Sequence, residues 1–168
     1  MPITLRPLTQ ADLPALLNFE RTNRSYFEQW VPPRPGWFFS EKIRYASHMA
    51  TLLSEQKNGT FLMYVLVDST DQILGRANLS VSDSAADLGY RIAQPHAGKG
   101  MATTAIQHIC TLAKTRHSLS KITAQAASSN PASQRVLINN GFHQSHAPPQ
   151  STPLNGQTIW LESYQKRL

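Results

Sequence analysis

The 168-residue chain reads as an α/β (α+β) fold: a mixed, mostly antiparallel central sheet with helices on both faces and one parallel strand pair at its centre. Three observations carry this reading. The run Phe61-Leu62-Met63-Tyr64-Val65-Leu66-Val67 is too uniformly apolar for a half-exposed strand, so it belongs inside the sheet with both faces covered. Short polar turns, Asp68 to Asp71 and Ser82 to Ala86, separate it from two further strand-like runs, the pattern of antiparallel neighbours. A strand from Asp87 to Ala93, a helix from Met101 to Ser118 and a strand from Lys121 to Ala126 then follow in that order. Strand, helix, strand implies a parallel pair joined by a right-handed crossover.

The first strand is Ile3 to Leu8, where apolar and polar residues alternate. Thr9 and Asp12 supply helix-start chemistry, and Leu13, Leu16 and Leu17 follow at helical spacing. Between Asn18 and Phe39 the helix breaks into an aromatic loop around Val31-Pro32-Pro33-Arg34-Pro35-Gly36, because proline cannot continue a helix and glycine permits the turn. Trp30 and Trp37 in this loop are candidate walls of a substrate pocket. Glu41 to Gln56 forms an amphipathic helix with Ile43, Ala46, Met49, Ala50 and Leu53 on its apolar face, stopped at Asn58-Gly59. Ile73 to Val81 is the strand returning from Val67. Late in the chain, a helix begins at Asn130 or Ser133 and ends at Asn139-Asn140-Gly141 in a left-handed cap. A proline-bearing loop leads to a last hairpin strand, Thr158 to Tyr164.

Length and composition set outer bounds. One domain spanning 1–168 is expected, long enough to bury a core without staples. No apolar run approaches the ~20 residues that cross a bilayer, and the opening MPITLRPLTQADL lacks the layout of a secretion signal. The single cysteine, Cys110, cannot form an internal disulfide, and a cytoplasmic location with no membrane partner follows. Six scattered histidines show no metal-ligand spacing, so no metal is expected. A net charge of +6 favours an anionic partner. The basic residues form no run and carry no aromatic-basic signature, so direct nucleic-acid binding is not expected.

The segment Leu88 to Thr104, LGYRIAQPHAGKGMATT, is a strand, a proline and a glycine loop that opens into a helix. Gly98 and Gly100 let the backbone turn tightly and approach a ligand, and the first free N–H groups of the helix, at its positive dipole end, favour an anion. Neither the P-loop spacing nor the dinucleotide fingerprint fits, since Gly98-Lys99-Gly100 is followed by Met101-Ala102-Thr103 and no acidic residue appears before Glu162. The loop resembles instead the phosphate loop of the GCN5-related N-acetyltransferase (GNAT) superfamily, [Q/R]-x-x-G-x-[G/A], matching at Gly98 and at the closing Ala102, with Ala97 in place of the leading Gln or Arg. Asn130-Pro131-Ala132-Ser133, Leu137 and Gly141-Phe142, with Leu88-Gly89-Tyr90 upstream, resemble the branch that includes the ribosomal-protein alanine acetyltransferases and spermidine-type relatives.

The resemblance implies a GNAT fold in which the parallel pair splays apart and acetyl-coenzyme A lies in the gap. It implies that the backbone of Arg91, Ile92 and Ala93 binds the pantetheine arm, that N–H groups of Gly98, Lys99, Gly100, Met101, Ala102 and Thr103 hold the pyrophosphate, and that Asn130 contacts the cofactor or caps its helix. The lysine side chain of Lys99 adds a point charge or is a solvated loop residue. Many relatives carry a tyrosine acid where this chain has Leu137, so Ser133 becomes the candidate to protonate or orient the leaving thiolate, or else a helix-start hydroxyl. Asp87 stands where relatives often carry a glutamate base, or is a solvated strand-edge residue; Glu28 in the aromatic loop, Glu162 on the last strand and water-relayed deprotonation are the alternatives, and Tyr90 is expected to pack in the cleft beside the substrate.

The activity so implied is acetyl-coenzyme A-dependent N-acetyl transfer to a primary amine, with a protein N-terminal amine as acceptor. The alternatives are a small-molecule amine, amino-acid or antibiotic acetyltransferase, and a non-catalytic acyl-coenzyme A-binding module. Relatives are often dimers, which leaves a homodimer open. Net positive charge disfavours a polyamine acceptor.

Overall fold

The computed structural model describes residues 3–168; Met1 and Pro2, the start of the stretch read for a leader, lie outside the described residues. Strand β1 (Thr4–Pro7) pairs antiparallel with β2 (Phe61–Val67), β2 with β3 (Ile73–Ser82), and β3 with β4 (Ala85–Ile92). β4 pairs in parallel with β5 (Lys121–Ala127), and β5 pairs antiparallel with β8 (Gln157–Arg167), whose other edge takes β6 (His143–Gln144) and β7 (Gln150–Leu154). The parallel pair is central, as the crossover argument predicts. On one face lie α1 (Leu13–Thr22), α2 (Arg24–Phe27), α3 (Trp37–Ser40) and α4 (Lys42–Asn58); on the other, α5 (Met101–His117) and α6 (Pro131–Asn139).

The apolar run of β2 explains both layers. Leu62 and Tyr64 face the core made with Ile106, Ile109 and Leu137, whereas Met63, Val65 and Val67 face the core made with Leu16, Phe19 and Met49. Strand alternation sends successive side chains to opposite faces, so only an apolar residue fits at every position. The tail is more regular than its prolines suggest. Asn155 (φ 51°) and Gly156 (φ 75°) close a two-residue hairpin between β7 and β8, and β8 runs to Arg167, beyond the expected Tyr164.

The apolar face read for the Glu41–Gln56 helix is buried only in part. In α4 Met49 of that face is buried and Leu53 packs against the core, but Ile43 is 87% exposed and Ala46 and Ala50 are exposed, while Tyr45, outside that face, is buried. Two polar anchors set this rotation. Tyr45 Oη donates to Leu13 O at 3.0 Å, and the Gln56 amide donates to Leu8 O and accepts from Met63 N, each at 2.8 Å. A hydrophobicity pattern that scores tyrosine and glutamine as polar misses both.

The β4–β5 ladder stops early. It pairs Ala85 with Lys121 through Leu88 with Ala124, yet β4 continues along β3 to Ile92 and β5 continues along β8 to Ala127. From Gly89 onward the two strands diverge, and a V-shaped gap opens at the middle of the sheet.

Candidate active site

Strand β4 supplies one wall of the gap. Ala93 N donates to Leu74 O at 2.8 Å, so its peptide points to β3, and its carbonyl is taken by His96 N at 2.9 Å. Peptide orientation alternates along a strand, so Arg91 also faces β3 while Tyr90 and Ile92 turn their N–H and C=O groups to the open side. Of the expected backbone contacts Arg91, Ile92 and Ala93, only Ile92 therefore faces the gap, and Tyr90 joins it.

After β4 a short 3₁₀ turn, Gln94–His96, leads into the glycine loop, with Gly98 (φ 72°) and Gly100 (φ 78°) in the left-handed region where a side chain is strained. Gly98, Lys99 and Gly100 are all exposed. The first amide of α5 with a partner is Thr104 N, bonded to Gly100 O at 3.1 Å. The peptide N–H groups of Gly98, Lys99, Gly100, Met101, Ala102 and Thr103 have no acceptor among the described residues. Six consecutive free donors thus line the start of a 17-residue helix, whose dipole adds partial positive charge there.

The far wall comes from α6. Asn130 caps this helix by accepting Ser133 N at 3.2 Å, so the cap belongs to Asn130 and leaves the Ser133 hydroxyl free for other work. That hydroxyl lies 2.8 Å from Tyr90 Oη. The bond joins the hydroxyl of a β4 side chain to that of an α6 side chain. Burial pushes the Tyr90 phenol above its ordinary value, with the Ser133 bond pulling the other way, so the phenol keeps its proton at neutral pH. Leu137 lies fully buried in the core and offers no group to the site.

Asp87 sits at a paired position of the β4–β5 ladder, opposite Thr123, whose hydroxyl donates to its carboxylate at 2.9 Å. It is two residues before Gly89, on the same strand face. Although exposed, its carboxyl lies above the ordinary range because neighbouring protein atoms strip water from it, with the Thr123 bond acting in the opposite sense. Glu28 and Glu162 are engaged elsewhere, the first with Arg24 at 2.7 Å and the second with Gln144 at 3.0 Å.

On the face of α1 to α4 the gap is open above Gly89, where an added Cβ would meet nothing within 4 Å. Trp30, partly exposed after α2, lies in a stretch joined to the β7–β8 turn by Asn155 Nδ2, which donates to Glu28 O at 3.1 Å. Trp37 is not on the wall of the cavity beneath α4: its ring packs edge-on against His48 at 5.4 Å and under the Arg44 guanidinium at 4.6 Å, at the margin of the core on this face. Its neighbour Phe38 lines that cavity, of about 310 Å³, between these helices and the sheet.

That cavity holds what the sequence reading missed. Glu20 of α1, only 2% exposed, is bonded by Arg34 at 3.0 Å, Arg76 at 2.5 Å and Arg91 at 2.8 Å. The arginines come from a loop, β3 and β4, and a carboxylate inside a helix otherwise lined by leucine and phenylalanine was the available signal. Burial alone would raise the Glu20 carboxyl, but the charge of Arg76, the bond and charge of Arg34 and the charge of Arg91 outweigh it and hold it down at about 2. Glu20 is therefore a fixed anion and no base for catalysis. Among the described residues no group of His, Cys, Asp and Glu could hold a metal ion.

The sequence model of the acetyltransferase (GNAT) domain family matches residues 3–143. The chain belongs to the GNAT family of acetyltransferases. A curated relative, the probable N-acetyltransferase YjcK of Bacillus subtilis (strain 168), is 26% identical over 165 residues, covering 94% of this chain and 88% of its own length. Among solved structures, the ribosomal-protein-S5-alanine acetyltransferase of Vibrio fischeri superposes with a TM-score of 0.86 at 23% identity, covering 96% of this chain and 91% of the other. The spermidine N-acetyltransferase of Vibrio cholerae, in complex with coenzyme A and spermine, gives 0.79 at 21% identity over 98% and 95%. Both likenesses show the same fold, and in this GNAT domain the splayed β4–β5 pair and the glycine loop before α5 stand as described.

Proposed function

We propose that this acetyltransferase uses acetyl-coenzyme A to acetylate a primary amine, with a protein N-terminal amine as the acceptor. The observation that carries the first part is the row of six free peptide donors from Gly98 to Thr103 at the mouth of a gap whose β4 edge is unpaired. Free amides at a helix start suit a pyrophosphate, and an unpaired strand edge suits an amide-bearing arm laid along it. The Vibrio cholerae relative is in complex with coenzyme A, which supports the same ligand here. The likeness to the S5-alanine enzyme supports the N-terminal acceptor.

In this reading Ile92 and Tyr90 hold the arm through their peptides, and Gly98 to Thr103 hold the phosphates. Acetyl-coenzyme A, when bound, supplies a thioester as the acyl donor. Asp87 takes the proton from the incoming ammonium: held by Thr123 at 2.9 Å but paired with no cation among the described residues, it lies on the face of Gly89, and its raised pKa improves it as a proton acceptor near neutrality. Tyr90 Oη and Ser133 Oγ, sharing one hydrogen bond, present a proton to the leaving sulfur. The family's tyrosine acid is missing from α6 at Leu137, and in this chain β4 delivers a tyrosine hydroxyl to the same helix. Action in the cytoplasm is supported by the single buried free thiol, Cys110, and by the lack among the described residues of any helix long and apolar enough to cross a membrane.

The test is calorimetric titration with acetyl-coenzyme A, followed by thiol release against N-terminal peptides, polyamines and amino acids. Binding with turnover of N-terminal peptides is expected. Turnover of polyamines alone would replace the acceptor, and no binding would overturn the reading.

A further inference from the structure

The Glu20 cavity is unbalanced. Three guanidinium groups surround one carboxylate, and among the described residues Glu20 is the only acidic one on the cavity wall, a net of +2. The carboxylate side chain is 2% accessible, whereas those of Arg34, Arg76 and Arg91 are 24%, 15% and 18% accessible. What the cavity presents to a visitor is therefore cationic. Arg34 Nη1, Arg76 Nη2 and Arg91 Nη2 have no hydrogen-bond partner among the described residues, and none of the buried side-chain nitrogens lacks one, so these three open on accessible space. With the Asn78 amide turned so that its nitrogen donates to Ala77 O, the orientation that satisfies both of its ends, its oxygen accepts from Arg76 Nη1 at 2.5 Å and aims the remaining edge of that guanidinium. Burial lowers Arg76 to about 10, with the charges of Arg34 and Arg91 acting in the same sense and Glu20 against them.

Position matters as much as charge. Arg91 follows Tyr90 on β4 and projects to the opposite face, the face left open above Gly89. Tyr90, α5 and α6 occupy the other side of the gap, so an acceptor amine approaches over Gly89, beside the arginines. Planar forked donors of this kind suit a carboxylate.

We propose that the Arg34–Arg76–Arg91 cavity binds a carboxylate of the acceptor, so that the amine acetylated here belongs to a molecule that also carries an anionic group, and polyamines are excluded. This rests on the transferase reading for its consequence but not for the anion site itself. The probes are pairs differing only by carboxylate against carboxamide: the peptide amides Ala-Glu-Glu and Ala-Gln-Gln, and free glutamine against glutaminamide. Binding to the full chain is measured calorimetrically, with and without coenzyme A, and thiol release is followed on the same samples. At least one carboxylate member should bind about tenfold tighter than its carboxamide, and the successful pair identifies a peptide or a free amino acid as the source. Two variants check the site. Arg34→Met removes the most accessible guanidinium, whose Cζ lies 4.4 Å from the Phe38 ring centroid, and leaves an unbranched apolar side chain in its place. Asn78→Asp sets an internal carboxylate against Arg76 and costs no ion pair. Either should bring the affinity ratio close to one with coenzyme A affinity unchanged. Equal affinities within both pairs, or a preference that survives in both variants, would overturn the proposal. Loss of coenzyme A binding with the preference intact would overturn the transferase reading alone.

Discussion

Replacing Glu20 by glutamine tests how the two layers are joined. The substitution keeps the shape and removes the one charge that three arginines share, at 3.0, 2.5 and 2.8 Å. Two routes give its cost. The Glu20 carboxyl, 4.5 when unperturbed, lies at about 2 in the fold although burial opposes this, a difference that corresponds to about 3 kcal/mol. Breaking a buried ion pair by removing one partner costs about 3–5 kcal/mol, because the other charge stays buried. A loss of this size is a large part of the ~5–15 kcal/mol that holds a domain together. With a urea slope of about 2 kcal/mol per molar, the unfolding midpoint should fall by about 1.5 M or more at neutral pH. The sign with pH is fixed: a folded pKa below the unfolded one stabilises fully above about 4.5, and that contribution is lost as pH falls towards 2. The gap between wild type and variant should therefore close over that window. A midpoint shift under about 0.5 M at neutral pH would mean that the arginines are balanced without Glu20, and the argument from net charge would fail with it.

The remaining predictions concern the gap. Gly100→Trp strains a residue at φ 78° and covers the free amides, so calorimetry should show acetyl-coenzyme A binding abolished while circular dichroism stays native; retained affinity would refute the phosphate loop. Tyr90→Phe and Ser133→Ala should each lower kcat by about a hundredfold with little change in cofactor affinity. The double variant should be no slower than the worse single, since the two hydroxyls act as one unit, and additive losses would separate them. Asp87→Asn should remove the acidic limb of the kcat/KM profile. In the wild type that limb should lie above the ordinary carboxylate range near ~4, with activity rising as Asp87 deprotonates; an unchanged profile would exclude it as the base.

What was legible in the sequence was legible through periodicity and backbone chemistry. Phe61 to Val67 announced a strand covered on both faces, and Gly98 and Gly100 announced a left-handed loop before a helix. Ser133 was legible as a hydroxyl at a helix start, but its partner was not. Tyr90 and Ser133 are 43 residues apart, and nothing local in either segment says that they meet. Glu20 and its arginines failed for the same reason, with Arg91 71 positions away. A buried charge network is chosen by tertiary approach, and each member read alone is an ordinary surface charge. The face of α4 failed differently, through amphipathic side chains: Tyr45 and Gln56 bury their bodies and spend their polar ends on backbone partners.

The alternation of β4 accounts for how the site divides its labour. Tyr90 and Arg91 are adjacent in sequence, yet one faces Ser133 and the other Glu20, because successive side chains on a strand point to opposite faces. The hydroxyl pair is thereby on the side of α5 and α6, with the phosphate loop, and the cationic cavity is on the side of α1 to α4, above Gly89. Splaying the strand pair after Leu88 opens a passage between the two sides at this point of the sheet. A one-residue register slip in β4 would exchange the faces and bury Arg91 in the apolar core against Ile106. The register is held by the fully paired β3–β4 ladder and by Gly75, whose missing Cβ would lie 2.6 Å from the Ile92 side chain and 2.9 Å from Arg91 O. Any side chain at Gly75 must push β4 aside at the residues that line the gap, so Gly75→Val should impair both cofactor affinity and carboxylate preference, although position 75 touches neither ligand. Loss of one without the other would show that the two faces are positioned independently.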